Sequence, residues 1–87
     1  MTPQERFAAN LRRARTELAI SQEELASRCN LHRTEISLLE RAGREPRLGT
    51  IVKLAGALGT TPDALCDGAA WLPKAHRFKV EAPLRGA

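Results

Sequence analysis

The residues best equipped for chemistry lie between positions 22 and 41, where Arg33, Thr34, Ser37, Leu38 and Arg41 fall outside the apolar row Leu31, Ile36 and Leu39. A guanidinium offers forked N–H donors and a hydroxyl both donates and accepts, so this set suits holding a hydrogen-bonding partner rather than breaking bonds. Catalysis has no comparable foothold. The sequence contains no Gly-rich phosphate-binding loop, no residues at metal-ligand spacing and no nucleophile beside a base, and His32 and His76 lack ligand partners. No enzymatic activity, metal or cofactor is therefore expected.

Presenting such a surface takes two short helices locked at a fixed angle. In residues 20–25, Ser21 can accept from the Glu24 N–H, Glu24 can return the bond, and Ile20 can staple to Leu25, which predicts a helix start. Asn30 ends that helix, because asparagine tolerates the left-handed conformation of a tight turn. A second segment over 31–42 follows, with His32 as a poor N-cap and Glu35 favourable in the first turn. Small Ala26 lets the two helices approach, and Leu25, Cys29, Leu31, Ile36 and Leu39 form their seam. This is the pattern of a helix-turn-helix unit.

Three more helices are predicted around it. Thr2, Pro3 and Glu5 form a capping box that opens a first helix running to about Leu18, with Phe7, Leu11, Ala14 and Leu18 at helical spacing. Leu48, Ile51, Val52, Leu54, Ala55 and Leu58 predict a largely buried helix ending at Gly59, and Thr61 followed by Pro62 opens a short last one closed by Gly68. From Ala69 the pattern changes, and residues 76–81 alternate as a strand does. A lone strand has no partner in a helical domain, so this extension is expected to be disordered, to dock on its own domain, or to pair with a second subunit.

Composition narrows the possibilities. The 87 residues allow one small domain, with 43% apolar but only 3% aromatic residues, which favours an all-α core of Leu, Ala, Ile and Val. Neither a secretory signal nor an 18-residue apolar span is visible, and a soluble, cytoplasmic protein is expected. The net charge of +4 is unevenly spread: residues 1–68 hold 10 basic and 9 acidic groups, residues 69–87 hold four and one. Net charge is thus weak evidence for a nucleic-acid partner, and the placement of individual arginines matters more. Cys29 and Cys66 form no metal or haem pattern, and Cys29 reads as a reduced, buried small hydrophobe.

The residues 21–26 (SQEELA), 36–41 (ISLLER), Pro46 and 54–59 (LAGALG), in that order, resemble the phage repressor and Cro family of helix-turn-helix proteins, also called the xenobiotic-response-element type. The resemblance covers about residues 5–67. It implies an all-α, five-helix lambda-repressor-like domain over 1–68; residues 69–87, outside the resemblance, read from their own composition as a basic C-terminal extension that forms a dimerisation strand or is a disordered tail. It also implies a sequence-specific regulator of transcription that binds double-stranded DNA, with the third helix in the major groove and His32, Arg33, Thr34, Ser37 and Leu38 nearest the bases. Arg33 can then donate to O6 and N7 of guanine and Thr34 can reach a base edge or a thymine methyl, while Leu38 offers only apolar contact there or packs on a neighbouring helix.

Ser21, Gln22, Arg41, Arg44 and Arg47 are the phosphate contacts the resemblance implies, the arginines otherwise being solvated surface groups. Arg15 and Glu40 match positions that pair across the first and third helices, a structural role. Two departures stand out: Ala42 occupies a position commonly glycine, and His32 replaces a small polar cap. A homodimer with reading helices about 34 Å apart is expected. The chain's length leaves no room for a ligand-sensing domain, so control by dose or by a protein partner is expected. The competing reading is a protein-interaction module on the same scaffold, such as an antitoxin or co-regulator.

Overall fold

The Thr2 hydroxyl accepts from the Glu5 N–H at 3.1 Å and the Glu5 carboxylate accepts from the Thr2 N–H at 2.9 Å, closing the expected capping box. The bond from the Thr2 backbone holds the Glu5 carboxyl below its ordinary pKa. In the computed structural model, which describes residues 1–82, this box opens α1 (Pro3–Glu17). Then come α2 (Gln22–Cys29), α3 (Arg33–Glu40), α4 (Leu48–Leu58) and α5 (Pro62–Leu65), followed by the strands β1 (Ala69–Leu72) and β2 (Arg77–Val80). Residues 83–87 of the extension lie outside the described residues.

The first four helices end alike. Ala19, Asn30, Ala42 and Gly59 each take a left-handed conformation, with φ of 56°, 55°, 56° and 68°. The next N–H in each case reaches back five residues: Ile20 to Arg15 O, Leu31 to Ala26 O, Gly43 to Leu38 O and Thr60 to Ala55 O. That bond satisfies a carbonyl that the helix end would otherwise leave unpaired.

The core is the predicted aliphatic one. Phe7 and Leu11 of α1, Leu25, Ala26 and Cys29 of α2, Ile36 and Leu39 of α3, Leu54, Ala55 and Leu58 of α4, and Leu65 of α5 form one buried cluster. Leu31, Ile20 and Ile51 pack at its edge. The buried faces of α2 and α3 are thus the seam read from the sequence, and each fully buried leucine contributes about 1.5–3 kcal/mol.

Several expectations need correction. Leu18 is 46% exposed, because the helix stops at Glu17 and Leu18 caps it rather than entering the core. Glu24 does not return the bond to Ser21; its carboxylate sits 3.3 Å from Arg28 instead, an i,i+4 pair on the solvent side. The expected burial of α4 holds only for one stripe, since Leu48 and Val52 are 76% and 54% exposed. Finally, the alternating segment is not a lone strand. β2 pairs antiparallel with β1 of its own chain, Ala69 opposite Val80 and Trp71 opposite Phe78.

The hairpin is docked on α1 by polar bonds. Arg6 Nε donates to Asp67 O at 2.9 Å and its NH1 to Glu81 O at 3.0 Å, so one guanidinium holds both ends of the hairpin. Asn10 Nδ2 donates to Leu65 O and Asp67 O, both at 2.9 Å. Gly68 has φ of 92°, and a Cβ there would collide with the Arg6 guanidinium, so the clamp requires glycine.

Both cysteines are free thiols, Cys29 at 3% exposure and Cys66 exposed. Burial raises the pKa of each above the ordinary thiol value, and Asp63 adds to the rise at Cys66. Titration of the native protein with an aromatic disulfide should therefore count a single thiol, reacting slowly, with the second appearing only in denaturant. Two thiols reacting at equal rates in buffer would contradict this packing of Cys29.

Candidate nucleic-acid interface

The turn between α2 and α3 is built by Asn30, Leu31 and His32. Left-handed Asn30 (φ 55°, ψ 45°) reverses the chain, Leu31 drops its side chain onto the core, and extended His32 (φ −78°, ψ 146°) starts α3. The His32 side chain makes no capping bond, so no side chain satisfies the first N–H groups of α3. Those groups and the positive helix end can meet an anion.

Ile36 and Leu39 fix one side of α3 in the core, which turns the other outward. His32, Arg33 and Thr34 are exposed, and Ser37 and Leu38 are half-buried. A Cβ at Gly43 would lie 3.2 Å from Leu38 Cδ2, so Leu38 leans over the loop leaving the helix. It also lines a shallow depression with Thr34, Glu35 and Arg44.

Two acidic residues, which the sequence reading did not include in the site, neighbour the basic ones. Glu23 of α2 stands 3.9 Å from Arg33, with both side chains mostly exposed, a pair worth little in water. Glu35 pairs with Arg44, drawing the loop arginine against the first turn of α3. Neither pair follows helical spacing, since each joins different segments, so local sequence gave no signal for them. Arg41 Nε donates to Ser37 O of its own helix at 3.3 Å, and Arg47 is exposed at the start of α4.

Behind this face lies a buried ionic network. Arg15 Nε and NH2 donate to the two Glu40 oxygens at 2.6 and 3.0 Å, and Arg15 NH1 donates to Ile20 O at 2.9 Å. The bonds it donates to the Glu40 carboxylate raise the pKa of Arg15 further. The Glu40 side chain is 4% exposed and that of Arg15 14%. Gln22 is half-buried, and its Nε2 donates to Glu40 Oε1 at 3.2 Å, so one of its amide hydrogens serves this network. The Arg15–Glu40 pair thus ties together four segments: α1, the α1–α2 turn through the Ile20 carbonyl, the start of α2 through Gln22, and the end of α3. Gln4 Nε2 adds a bond to Ala42 O.

Ala42 keeps the turn geometry that glycine would adopt. Its φ is 56°, and the Gly43 N–H reaches Leu38 O at 2.8 Å. A left-handed alanine costs roughly 1–2 kcal/mol. Ala42→Gly should accordingly raise unfolding free energy by about 1 kcal/mol in urea titration, and a loss of stability would show that the alanine methyl is needed here.

Comparison with known proteins follows the same lines. A helix-turn-helix family model (HTH_3) matches residues 11–65. The chain is 50% identical over 48 residues to the control protein C.BamHI of Bacillus amyloliquefaciens, covering 55% of this chain and 59% of that one. It is 40% identical over 74 residues to a hypothetical transcription factor of Neisseria meningitidis serogroup B, covering 85% of this chain and 65% of the relative. It therefore spans less than two thirds of the length of these two relatives. The crystal structure of the restriction-modification controller protein C.AhdI from Aeromonas hydrophila superimposes with a TM-score of 0.70 at 39% identity, covering 71% of this chain and 94% of that one. With its two-helix seam, left-handed turn and buried Arg15–Glu40 pair, the chain belongs to the Cro/C1-type helix-turn-helix family.

Proposed function

We propose that this protein regulates transcription by binding double-stranded DNA as a homodimer, with α3 in the major groove. The observation that carries the reading is the exposed row of His32, Arg33 and Thr34 on a helix whose opposite side is locked by Ile36, Leu39 and the Arg15–Glu40 pair. A rigid helix with outward donors suits base edges, which accept bonds only in fixed positions. The Glu23 pair near Arg33 is weak enough to exchange for a guanine. Ser37 and Leu38 extend the reading surface, Leu38 meeting a thymine methyl.

Phosphates are held at both ends of the unit. Ser21 and Gln22 sit at the start of α2, and the second amide hydrogen of Gln22 remains for a phosphate oxygen. Arg41, Arg44 and Arg47 supply charge on the other side. The relatives' names, a control protein and a restriction-modification controller, support a regulatory role. Among the described residues no helix is long and apolar enough to cross a membrane, and we assign the protein's action to the cytoplasm.

Salt-dependent retardation of a duplex tests the reading. Arg44→Ala should weaken binding to all sequences alike and lower the salt slope by about one. A slope unchanged by this substitution would remove Arg44 from the phosphate contacts, and a protein that fails to retard any duplex at low salt would leave the interaction-module reading.

A further inference from the structure

We infer that the β1–β2 hairpin and the outer stripe of α4 form one face that packs against a second copy of this chain, which deepens, and rests on, the dimeric reading above. In the hairpin register Ala69, Trp71, Phe78 and Val80 share one face of the two-stranded sheet, so that face is wholly apolar. Trp71 and Phe78 meet edge to face at 5.1 Å, yet are 52% and 54% exposed. On α4, Leu48 and Val52 stand four residues apart in one stripe at 76% and 54% exposure. The two patches are continuous. Phe78 forms one wall of a groove with Pro3, Phe7, Pro46 and Ile51, and Ile51 lies beside Val52 and one turn from Leu48.

The shape and charge of this face fit a copy of itself. A symmetric interface needs a knob and a hollow on the same surface, and here Trp71 and Leu48 project beside the apolar groove. Glu45 lies at the groove, while the hairpin turn carries Lys74, so opposite charges can meet when the copies exchange knobs. Area argues for using both elements. A half-exposed aromatic leaves roughly 100 Å² open, whereas a stable dimer buries about 800 Å² per partner, so the hairpin alone is too small. Gly49 and Gly56 leave open space where a Cβ would stand, which permits close approach of a partner to α4. The Arg6 clamp holds the hairpin in one place, and the helix-turn-helix match ends at residue 65, before the hairpin begins.

Trp71 is the chain's sole tryptophan and reports on this face directly. Sedimentation and fluorescence of the wild-type protein should be followed over a dilution series. Trp71 emission should shift to shorter wavelength and lose access to iodide as the dimer forms. Leu48→Lys, at an exposed position, should raise the dimer dissociation constant at least about tenfold while leaving the helical circular dichroism unchanged. A dimer whose Trp71 stays as quenchable as in the monomer, or whose dissociation constant Leu48→Lys leaves unaltered, overturns this assignment and leaves the dimeric reading standing. A monomer at every concentration, on and off DNA, overturns both.

Discussion

Glu40→Ala should cost about 3–5 kcal/mol of unfolding free energy, the range for removing one partner of a buried ion pair. The Glu40 side chain is 4% exposed and accepts from Arg15 at 2.6 and 3.0 Å and from Gln22 at 3.2 Å. Removing it leaves a guanidinium that is 14% exposed with only the Ile20 carbonyl to satisfy it. Against a total stability of about 5–15 kcal/mol for a domain of this kind, the loss would bring the protein close to unfolding at growth temperature. Urea titration with a folded-state probe measures it. Replacing both partners together, Arg15→Met with Glu40→Leu, should restore most of the loss, because the cost lies in the stranded charge. A Glu40→Ala variant within 1 kcal/mol of wild type would show that the pair does not hold α3.

Arg33→Ala should weaken binding to the preferred duplex by about 1–3 kcal/mol, and the loss should be confined to one base pair of each half-site. Arg33 is the exposed arginine in the first turn of α3, and its neighbour Glu23 at 3.9 Å is too weakly engaged to keep it. Binding to a panel of single-base variants separates the two kinds of arginine. For the Arg33→Ala protein one position should become indifferent, whereas Arg44→Ala should lower every affinity in proportion. Uniform loss with Arg33→Ala would move that residue to the phosphate contacts.

The elements that local chemistry dictates were legible in the sequence. Thr2, Ser21 and Thr61 each accept the bond expected of an N-cap, and Asn30 turns left-handed where the sequence required a turn. What depends on distant partners was not. β1 is the four-residue run AAWL, which shows no alternation and becomes a strand only because β2 lies across from it. Leu48 and Val52 repeat with helical spacing as Leu54 and Leu58 do, and periodicity cannot say which stripe its own domain covers.

The same limit applies at the interface. The pairing of Arg15 with Glu40 came from resemblance, since nothing in the spacing of two residues 25 apart demands it. The Glu23–Arg33 and Glu35–Arg44 pairs cross a turn and a loop, and the inward bond of Gln22 depends on where α3 ends. Ala42 stands where glycine is common, yet the chain accepts the strained φ of 56° and keeps the turn.

Selection of bound duplexes from a random pool by the wild-type protein tests most directly whether the outward side of α3 reads sequence. Enrichment of an inverted repeat is expected, with half-site centres about one helical turn apart. Salt-sensitive retention of DNA with no enriched motif after repeated rounds would contradict base reading by His32, Arg33 and Thr34.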